Sequence, residues 1–210
     1  MKQIVLISPN FSLYRGGNTT STLRIFEGLK QAGISVQIYD LRENFSIIDS
    51  QRFDSPKYLL HAFNLLRSAS FCEQIHKTKF IVSITGTDFE QRLSDPRFER
   101  IARKADRLIC QNSFQYETLR HVYAEKLIQI HKGVFPKDLL TSGPCPPLNP
   151  TWLNKKICFY PAGLRAVKGH LLYLPAMQKL SKIFSDLVWL FAGSILEKNY
   201  AETFLNKIRG

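Results

Sequence analysis

The sequence predicts an α/β fold, with a doubly wound parallel sheet followed by the first part of a second one. Short apolar runs rich in branched residues alternate along the chain with longer segments whose apolar residues recur at helical spacing. The short runs are continuously apolar, as parallel strands buried on both faces are. The alternation stops in a proline-rich segment at 134–154 and then starts again. We therefore expect two α/β units joined by a linker.

The first unit opens with a predicted strand, helix and strand. "KQIVLISP" at 2–9 is the first strand, and "ISVQIYD" at 34–40 is the second. The segment 18–33 between them has apolar residues at helical spacing, Asn, Thr and Ser residues that can cap its start, and Gly33 at its end. This βαβ order is typical of a doubly wound sheet.

The alternation continues through the rest of the first unit. Segment 42–56 is polar and is predicted to be irregular, and 57–77, "KYLLHAFNLLRSASFCEQIHK", is predicted to be a helix. Further helices are expected to start at Asp95, with Pro96 in the first turn, and at Ser113. Three further strands are predicted, at 79–85, 106–111 and 126–131.

The second unit is predicted to be incomplete. We place the N-terminal domain at 1–135, the interdomain linker at 136–154 and the second domain at 155–210. The last of these holds two predicted strands and two predicted helices. An independent doubly wound domain needs more elements than that.

The chain is strongly basic, with 29 Lys and Arg against 17 Asp and Glu and a net charge of +12. The excess is densest in residues 151–210. A basic surface attracts nucleic acid, anionic lipid headgroups or phosphorylated small molecules, and a solvated helical face is the plain alternative. No nucleic acid is expected as a partner, because the aromatic residues lie within the apolar runs instead of alternating with exposed basic ones.

Other features of the composition narrow the class of protein. The four cysteines form no C-x-x-C pair, which disfavours a zinc site and a disulfide scaffold. The apolar runs are shorter than the roughly 20 residues of a membrane-spanning helix, and the N-terminus lacks the apolar core of a secretory signal. We therefore expect a cytoplasmic protein.

The turn after the first predicted strand is a candidate ligand loop. In parallel sheets, helix N-termini at the carboxyl ends of strands attract anions. This turn, at 8–20, contains Gly16 and Gly17, which let backbone approach a phosphate or a sugar closely. It matches neither the dinucleotide-binding nor the P-loop glycine pattern. A ligand loop and a plain surface loop both remain open.

Two further turns carry small and hydroxylated residues. "SITGTDFEQ" at 83–91 offers Thr85, Gly86 and Asp88 for hydrogen bonds to a polyol, or for capping the next helix. In the turn at 110–117, capping by Ser113 is the favoured interpretation.

The fourth turn, "FYPAGLRAVKGH" at 159–170, places two cations together. Arg165 and Lys168 lie three residues apart between a predicted strand and a predicted helix. Two positive side chains beside a helix N-terminus suit an anion with several oxygens, such as a diphosphate.

Six segments of the chain carry, in order, a resemblance to a known family: "RGGNTTSTLRIFEGLKQAGISVQIYD", "ITGTD", "ADRLICQNSFQYETL", "IQIHKGV", "YPAGLRAVKGHLLYLPAMQKL" and "LVWLFAG". Together they resemble the GT-B glycosyltransferases of the family 4 type, which are retaining enzymes that use nucleotide sugars. The resemblance implies a GT-B-like fold, with a Rossmann-like N-terminal domain on the acceptor side and a second Rossmann-like domain that binds the donor. It implies no metal and no cofactor, a nucleoside-diphosphate sugar as donor, and a carbohydrate or lipid-linked acceptor.

The same resemblance implies roles for individual residues. It assigns the donor diphosphate to Arg165 and Lys168, together with the loop of Gly16 and Gly17. Two fixed cations suit this role, because negative charge grows on the leaving nucleoside diphosphate as the glycosidic bond breaks. The remaining assignments are the catalytic site, to Thr85 and Asp88, and contacts with acceptor or sugar, to Asn18, Thr19 and Gly86.

The sequence departs from the family in two places. Many relatives have histidine where this chain has Thr85, so His61 and His131 are candidates to supply that function. The family's E-x7-E segment is not found, and Glu197 and Glu202 are interpreted as helix-surface residues. The resemblance therefore implies a truncated chain, a fragment with reduced or no activity alone.

Two other functions stay open. One is a non-catalytic basic module that binds an anionic membrane or nucleic acid through its charge. The other is a half-enzyme that pairs with a second chain through apolar surface around 187–191. A basic surface is also compatible with an enzyme that associates peripherally with the inner membrane face.

Overall fold

In the computed structural model, residues 2–9, 11, 17–41, 47–133 and 149–209 are described, with the backbone alone for 47–49 and 209. The chain divides into two units, Met1–Thr141 and Ser142–Gly210. In both units parallel strands alternate with helices. The α/β fold class predicted from the sequence is therefore confirmed.

The described part of the first unit holds six strands, six α-helices and a short 3₁₀ helix at Ala124–Lys126. The strands are β1 (Gln3–Ser8), β2 (Val36–Asp40), β3 (Tyr58–Phe63), β4 (Phe80–Ser83), β5 (Arg107–Cys110) and β6 (Leu127–Gln129). The helices are α1 (Gly17–Gln31), α2 (Ile47–Phe53), α3 (Ala69–Glu73), α4 (Gly86–Gln91), α5 (Pro96–Lys104) and α6 (Ser113–Tyr123).

The six strands form one parallel sheet in the order β2-β1-β3-β4-β5-β6. The chain moves from β1 to one side and then crosses back over it to β3, so the order reverses between β1 and β3. In open α/β sheets ligands bind at the carboxyl ends of the strands, near such a reversal. The loops after β1, β3 and β4 begin at these carboxyl ends.

A continuous apolar core supports this sheet. Strand residues such as Val5, Leu60 and Val82 are buried together with helix residues such as Phe71 and Ile101. Burial of this kind stabilises the fold by roughly 25 cal/mol per Å² of apolar surface.

The segment 57–77 was expected to be one helix, and that prediction was wrong. Its first part is strand β3, and only 69–73 is helical, as α3. A central parallel strand is apolar on both faces, so "YLLHAF" has no alternation that separates it from a buried helix. Asn64 ends the strand with a left-handed φ of 63°, a conformation that asparagine tolerates better than most residues. The segment 42–56, expected to be irregular, contains the helix α2.

The predicted helix caps are correct for α5 and wrong for α6. The Asp95 carboxylate accepts a hydrogen bond from the Arg97 N–H at 3.0 Å, and Pro96 is the first residue of α5. For α6 the capping side chain is Asn112, whose Oδ1 accepts from the Gln115 N–H at 2.8 Å. Ser113 is instead the first helical residue. Asparagine and serine both cap helices well, and here the residue one position earlier, Asn112, is the cap.

The described part of the second unit has two strands and two helices. β7 (Lys156–Pro161) and β8 (Leu187–Ala192) pair in parallel, with α7 (His170–Ile183) between them and α8 (Lys198–Arg209) after them. Of the residues that the structure describes there, only three are fully buried, namely His170, Ala201 and Phe204. No helix in the described ranges of either unit is long and apolar enough to cross a bilayer.

Candidate functional site

The turn between β7 and α7 presents Arg165 and Lys168 at the carboxyl end of a parallel strand. Arg165 is extended, and Ala166–Lys168 form a single 3₁₀ turn that ends at Gly169. Gly169 has a φ of 69°, which favours glycine, and α7 begins at the next residue. The two cations therefore flank one tight turn directly before a helix N-terminus.

The loop after β8 holds this turn in place. The N–H of Leu164 donates to the Ser194 carbonyl at 2.9 Å, and the N–H of Leu196 donates to the Leu164 carbonyl at 3.1 Å. Gly193 lies so close that a Cβ at this position would be 2.4 Å from the Ala162 carbonyl oxygen. The two loops are thus joined backbone to backbone, which requires glycine at 193.

Three side chains add to this support. The Glu197 carboxylate accepts a hydrogen bond from the Ala166 N–H at 2.9 Å, and the Tyr200 hydroxyl accepts one from the Leu171 N–H at 3.1 Å. The Tyr160 hydroxyl donates to the Lys168 carbonyl. The backbone that carries both cations is therefore fixed at several points. Glu197, interpreted from the sequence as a helix-surface residue, is exposed but lies just before α8 and bonds to this turn, and no sequence pattern indicated Tyr200.

Neither cation is neutralised by the residues that the structure describes. Ion pairs occur elsewhere in the described ranges, for example between Lys156 and Asp186 at 2.8 Å, but none involves Arg165 or Lys168. The Nε of Arg165 is buried and has no hydrogen-bond partner. A buried donor without a partner costs roughly 1–3 kcal/mol. An anion with oxygens at this turn would satisfy it.

His170, the first residue of α7, lies in the core of the second unit and contacts the segment that leads into the turn. It is fully buried among aromatic rings, with the Tyr160 ring centroid at 4.9 Å and the Phe204 centroid at 5.4 Å. Its Nε2 lies 3.3 Å from the Ala162 carbonyl oxygen, and its Nδ1 has no partner. Since a carbonyl only accepts, the proton of this bond is on Nε2.

The turn between β4 and α4 is built differently, around the buried carboxylate of Asp88. Its Oδ2 accepts from the N–H of Leu65 at 2.8 Å, and from the N–H and hydroxyl of Thr85 at 3.0 and 3.1 Å. Its Oδ1 accepts from the N–H of Leu66 at 3.3 Å. Asp88 therefore ties the loop after β3 to the loop after β4.

Asn64 completes this cluster. Its Nδ2 donates to the Thr85 hydroxyl oxygen at 3.0 Å, and its Oδ1 accepts from the Arg67 N–H at 2.9 Å. Burial raises the pKa of Asp88 above its ordinary value, while the backbone N–H groups act in the opposite direction. Thr85 and Asp88 thus form the capping contact at the start of α4, the alternative that the sequence offered beside a polyol site, and their polar atoms bond within the protein. Gly86 is exposed, and no atom lies near the place of its missing side chain.

The loop after β1 is described only in part. Gly16 lies outside the described residues, and Gly17 is the first residue of α1. Asn18 is half-buried and Thr19 is buried. The Thr22 hydroxyl donates to the Asn18 carbonyl at 2.9 Å, and it also lies 3.2 Å from the Ser8 hydroxyl. The start of α1 is thus packed onto the end of β1.

The two candidate histidines have different environments. His61 lies within β3, with its Nε2 2.8 Å from the Ser83 hydroxyl and its ring stacked on Phe63. Burial lowers the pKa of His61 to about 4, so the ring is neutral near pH 7. His131 is exposed, and its Nε2 lies 2.8 Å from the Gln129 amide nitrogen. Within the described ranges, no group of three or more His, Cys, Asp or Glu side chains is arranged to hold a metal.

No protein-family model matches the sequence, and no curated protein matches it either. Similarity is found among solved structures. A glycosyltransferase from Rickettsia africae ESF-5 has a TM-score of 0.63 and 17% identity, and the match covers 99% of this chain and 65% of that one. A UDP-forming α,α-trehalose-phosphate synthase from Burkholderia xenovorans has a TM-score of 0.65 and 9% identity, covering 99% of this chain and 69% of that one.

These similarities define the class of fold. The chain has the GT-B-like, Rossmann-like α/β fold of those two structures. At such low identity the likeness concerns the fold alone. This chain spans about two thirds of the length of each structure.

Proposed function

We propose that this chain belongs to a retaining glycosyltransferase of the family 4 type, which transfers a hexosyl or related group from a nucleoside-diphosphate sugar. One observation carries the proposal. In a GT-B-like fold, Arg165 and Lys168 lie on a rigid turn at the end of a parallel strand, with no carboxylate paired to either among the described residues. Two unpaired cations on one turn are suited to a diphosphate.

In this proposal the two cations act on the leaving group. As the bond from the sugar to the diphosphate breaks, negative charge accumulates on the diphosphate oxygens. Cations carried on a turn whose backbone is already bonded in place would stabilise that charge more in the transition state than in the ground state, which lowers the barrier. Arg165 and Lys168 would supply the positive charge that other transferases take from a metal ion, and so we propose a metal-independent reaction.

The first unit then supplies the acceptor side. We propose that the loop of Gly16 and Gly17 approaches the donor diphosphate, and that Asn18, Thr19 and Gly86 contact the sugar or the acceptor. Thr85 and Asp88 would serve the catalytic site by positioning the loops after β3 and β4, because their polar atoms join these two loops. A carbohydrate or lipid-linked acceptor and a cytoplasmic site at the inner membrane face fit the basic surface.

The test is calorimetric titration of the full chain with UDP, GDP and inorganic pyrophosphate. The Arg165→Ala, Lys168→Ala double variant should weaken diphosphate binding at least about tenfold, because it removes both charge-assisted contacts. The matched control is Lys179→Ala, Lys182→Ala, which removes two exposed cations with the same spacing from α7. The control should bind within about twofold of the unaltered chain. Equal losses in both variants would contradict the proposed site.

A further inference from the structure

Glu197 places a carboxylate at the turn that carries Arg165 and Lys168. Its Oε2 accepts the Ala166 N–H at 2.9 Å. Ala166 opens the 3₁₀ turn at the carboxyl end of β7, and the N–H groups of such turns are the donors that phosphates take in α/β folds. A side-chain anion of the protein therefore occupies a donor that a diphosphate oxygen would otherwise use.

The main chain of Glu197 is bonded to the same segment, and its side chain is exposed. The N–H of Glu197 donates to the Leu164 carbonyl at 3.1 Å, so main chain and side chain of Glu197 both bond to the segment 164–166. Among the described residues Glu197 forms no ion pair, and the Arg165 guanidinium next to Ala166 in the chain stays unpaired. The Glu197 carboxylate thus accepts the Ala166 N–H and leaves Arg165 and Lys168 without an ion pair among the described residues.

We propose that Glu197 is a resident anion that competes with the phosphates of the donor for the Ala166 N–H, and thereby weakens diphosphate binding. This inference rests on the diphosphate site proposed above. Either the carboxylate stays and repels the phosphate, or the phosphate displaces it at a cost. Both routes weaken binding of the nucleoside diphosphate that leaves, which favours its release after sugar transfer. Glu197 therefore lowers the affinity of the site for the charged part of the ligand.

The experiment compares diphosphate binding by the Glu197→Gln variant and by the unaltered chain, again by calorimetry with UDP, GDP and inorganic pyrophosphate. Glutamine keeps a carbonyl oxygen that can accept the Ala166 N–H but removes the negative charge. Binding should tighten by about fivefold. Uridine and guanosine, which carry no phosphate, should bind each protein equally.

Glu202→Gln is the matched control. Glu202 is an exposed acid on α8, five residues from Glu197, and its substitution changes the net charge equally. It should alter diphosphate binding by less than about twofold, because exposed charges act weakly at a distance in salt. Equal tightening in both variants would show a general charge effect and overturn the inference.

A second variant, Ala166→Pro, removes the contested N–H itself. Proline suits the first position of a helical turn, and Arg165 before it is extended, with φ −160° and ψ 155°. In this background Glu197→Gln should tighten diphosphate binding by less than about twofold, since no N–H is left to compete for. A gain that stays near fivefold would show that the Ala166 N–H is not involved.

The outcomes separate this inference from the proposed function. If the unaltered chain binds no diphosphate, and Glu197→Gln binds none either, the proposed function fails and this inference fails with it. If the unaltered chain binds and Glu197→Gln binds equally well or more weakly, the diphosphate site stands and the role of Glu197 is refuted.

Discussion

The two turns at the ends of β4 and β7 differ in what their polar groups bind. At the β4 turn, the carboxylate of Asp88 accepts four hydrogen bonds from Leu65, Leu66 and Thr85. At the β7 turn, the Arg165 Nε is buried without a partner, and Lys168 is exposed. The first turn is complete without a ligand, whereas the second leaves donors that a ligand can satisfy.

The same difference separates the two units. Among the described residues, the buried side-chain polar atoms without a partner are Arg165 Nε, His170 Nδ1 and Trp189 Nε1, and all belong to the second unit. Native folds pair nearly all such groups, so a cluster of exceptions needs an explanation. For Arg165 a bound anion provides one. A polar cluster with all its bonds made, like that of Asp88, indicates support for the fold instead.

The largest expected effect comes from breaking the satisfied turn. Asp88→Ala removes the acceptor of three backbone N–H groups in a buried place, so the free energy of unfolding should fall by about 3–5 kcal/mol. Arg165→Ala should not lower it by more than about 0.5 kcal/mol, since its side chain makes no hydrogen bond with the described residues that would be lost and its buried Nε has no partner among them. Urea unfolding followed by far-UV circular dichroism measures both.

Asp95→Ala serves as the control for Asp88→Ala. It removes the same side chain from a half-buried helix cap, where one backbone N–H loses its acceptor and the ion pair with Arg97 is lost. The expected loss is about 1 kcal/mol. If Asp88→Ala costs no more than Asp95→Ala, the Asp88 cluster does not hold the two loops together.

A smaller effect, on the pH dependence of stability, should come from His61. Its pKa falls from 6.5 to about 4 on burial, so the folded state binds its proton less readily than the unfolded state. The contribution of neutral, buried His61 to the free energy of unfolding is fully present above pH 6.5. It is lost as the pH falls towards 4, by about 3 kcal/mol in total. His61→Gln should remove this part of the acid sensitivity, measured as unfolding free energy between about pH 7.5 and 4.5.

The control for His61 is the exposed His121. His121→Gln should leave the acid dependence of the unaltered chain in place. An unchanged pH profile in His61→Gln would mean that the neutral, buried state of His61 does not determine the acid response.

The alternation of strands and helices could be predicted from the sequence, but one central strand could not. Buried parallel strands give short apolar runs, which is why β1, β2, β4, β5 and β6 were found. In β3 the apolar run continues into the residues before α3 without a glycine or proline, so a helix fitted as well. The break is a left-handed asparagine at 64, and asparagine is a weaker signal than glycine.

The candidate site shows the same limit. Arg165 and Lys168 belong to one short turn, so their neighbourhood could be predicted from local sequence. Two of the partners of Asp88, Leu65 and Leu66, are 23 and 22 residues away along the chain, and Glu197 is 31 residues from Ala166. Those contacts depend on the pairing and register of neighbouring strands. A pattern within one segment carries no information on them.

The smallest changes in the free energy of unfolding are expected from substituting two glycines, Gly193 beside the β7 turn and Gly86 at the β4 turn. Gly193→Ala would place a Cβ 2.4 Å from the Ala162 carbonyl oxygen, so the joined loops must shift, at a cost of about 2 kcal/mol. Both tryptophans, Trp152 and Trp189, lie in the second unit, so tryptophan fluorescence during urea unfolding reports this loss. Gly86→Ala meets open space at the first position of α4 and should stabilise the first unit by about 0.5 kcal/mol, because alanine favours helix. Equal effects at the two glycines would show that the close approach at Gly193, which fixes the cation-bearing turn, is not a constraint on the fold.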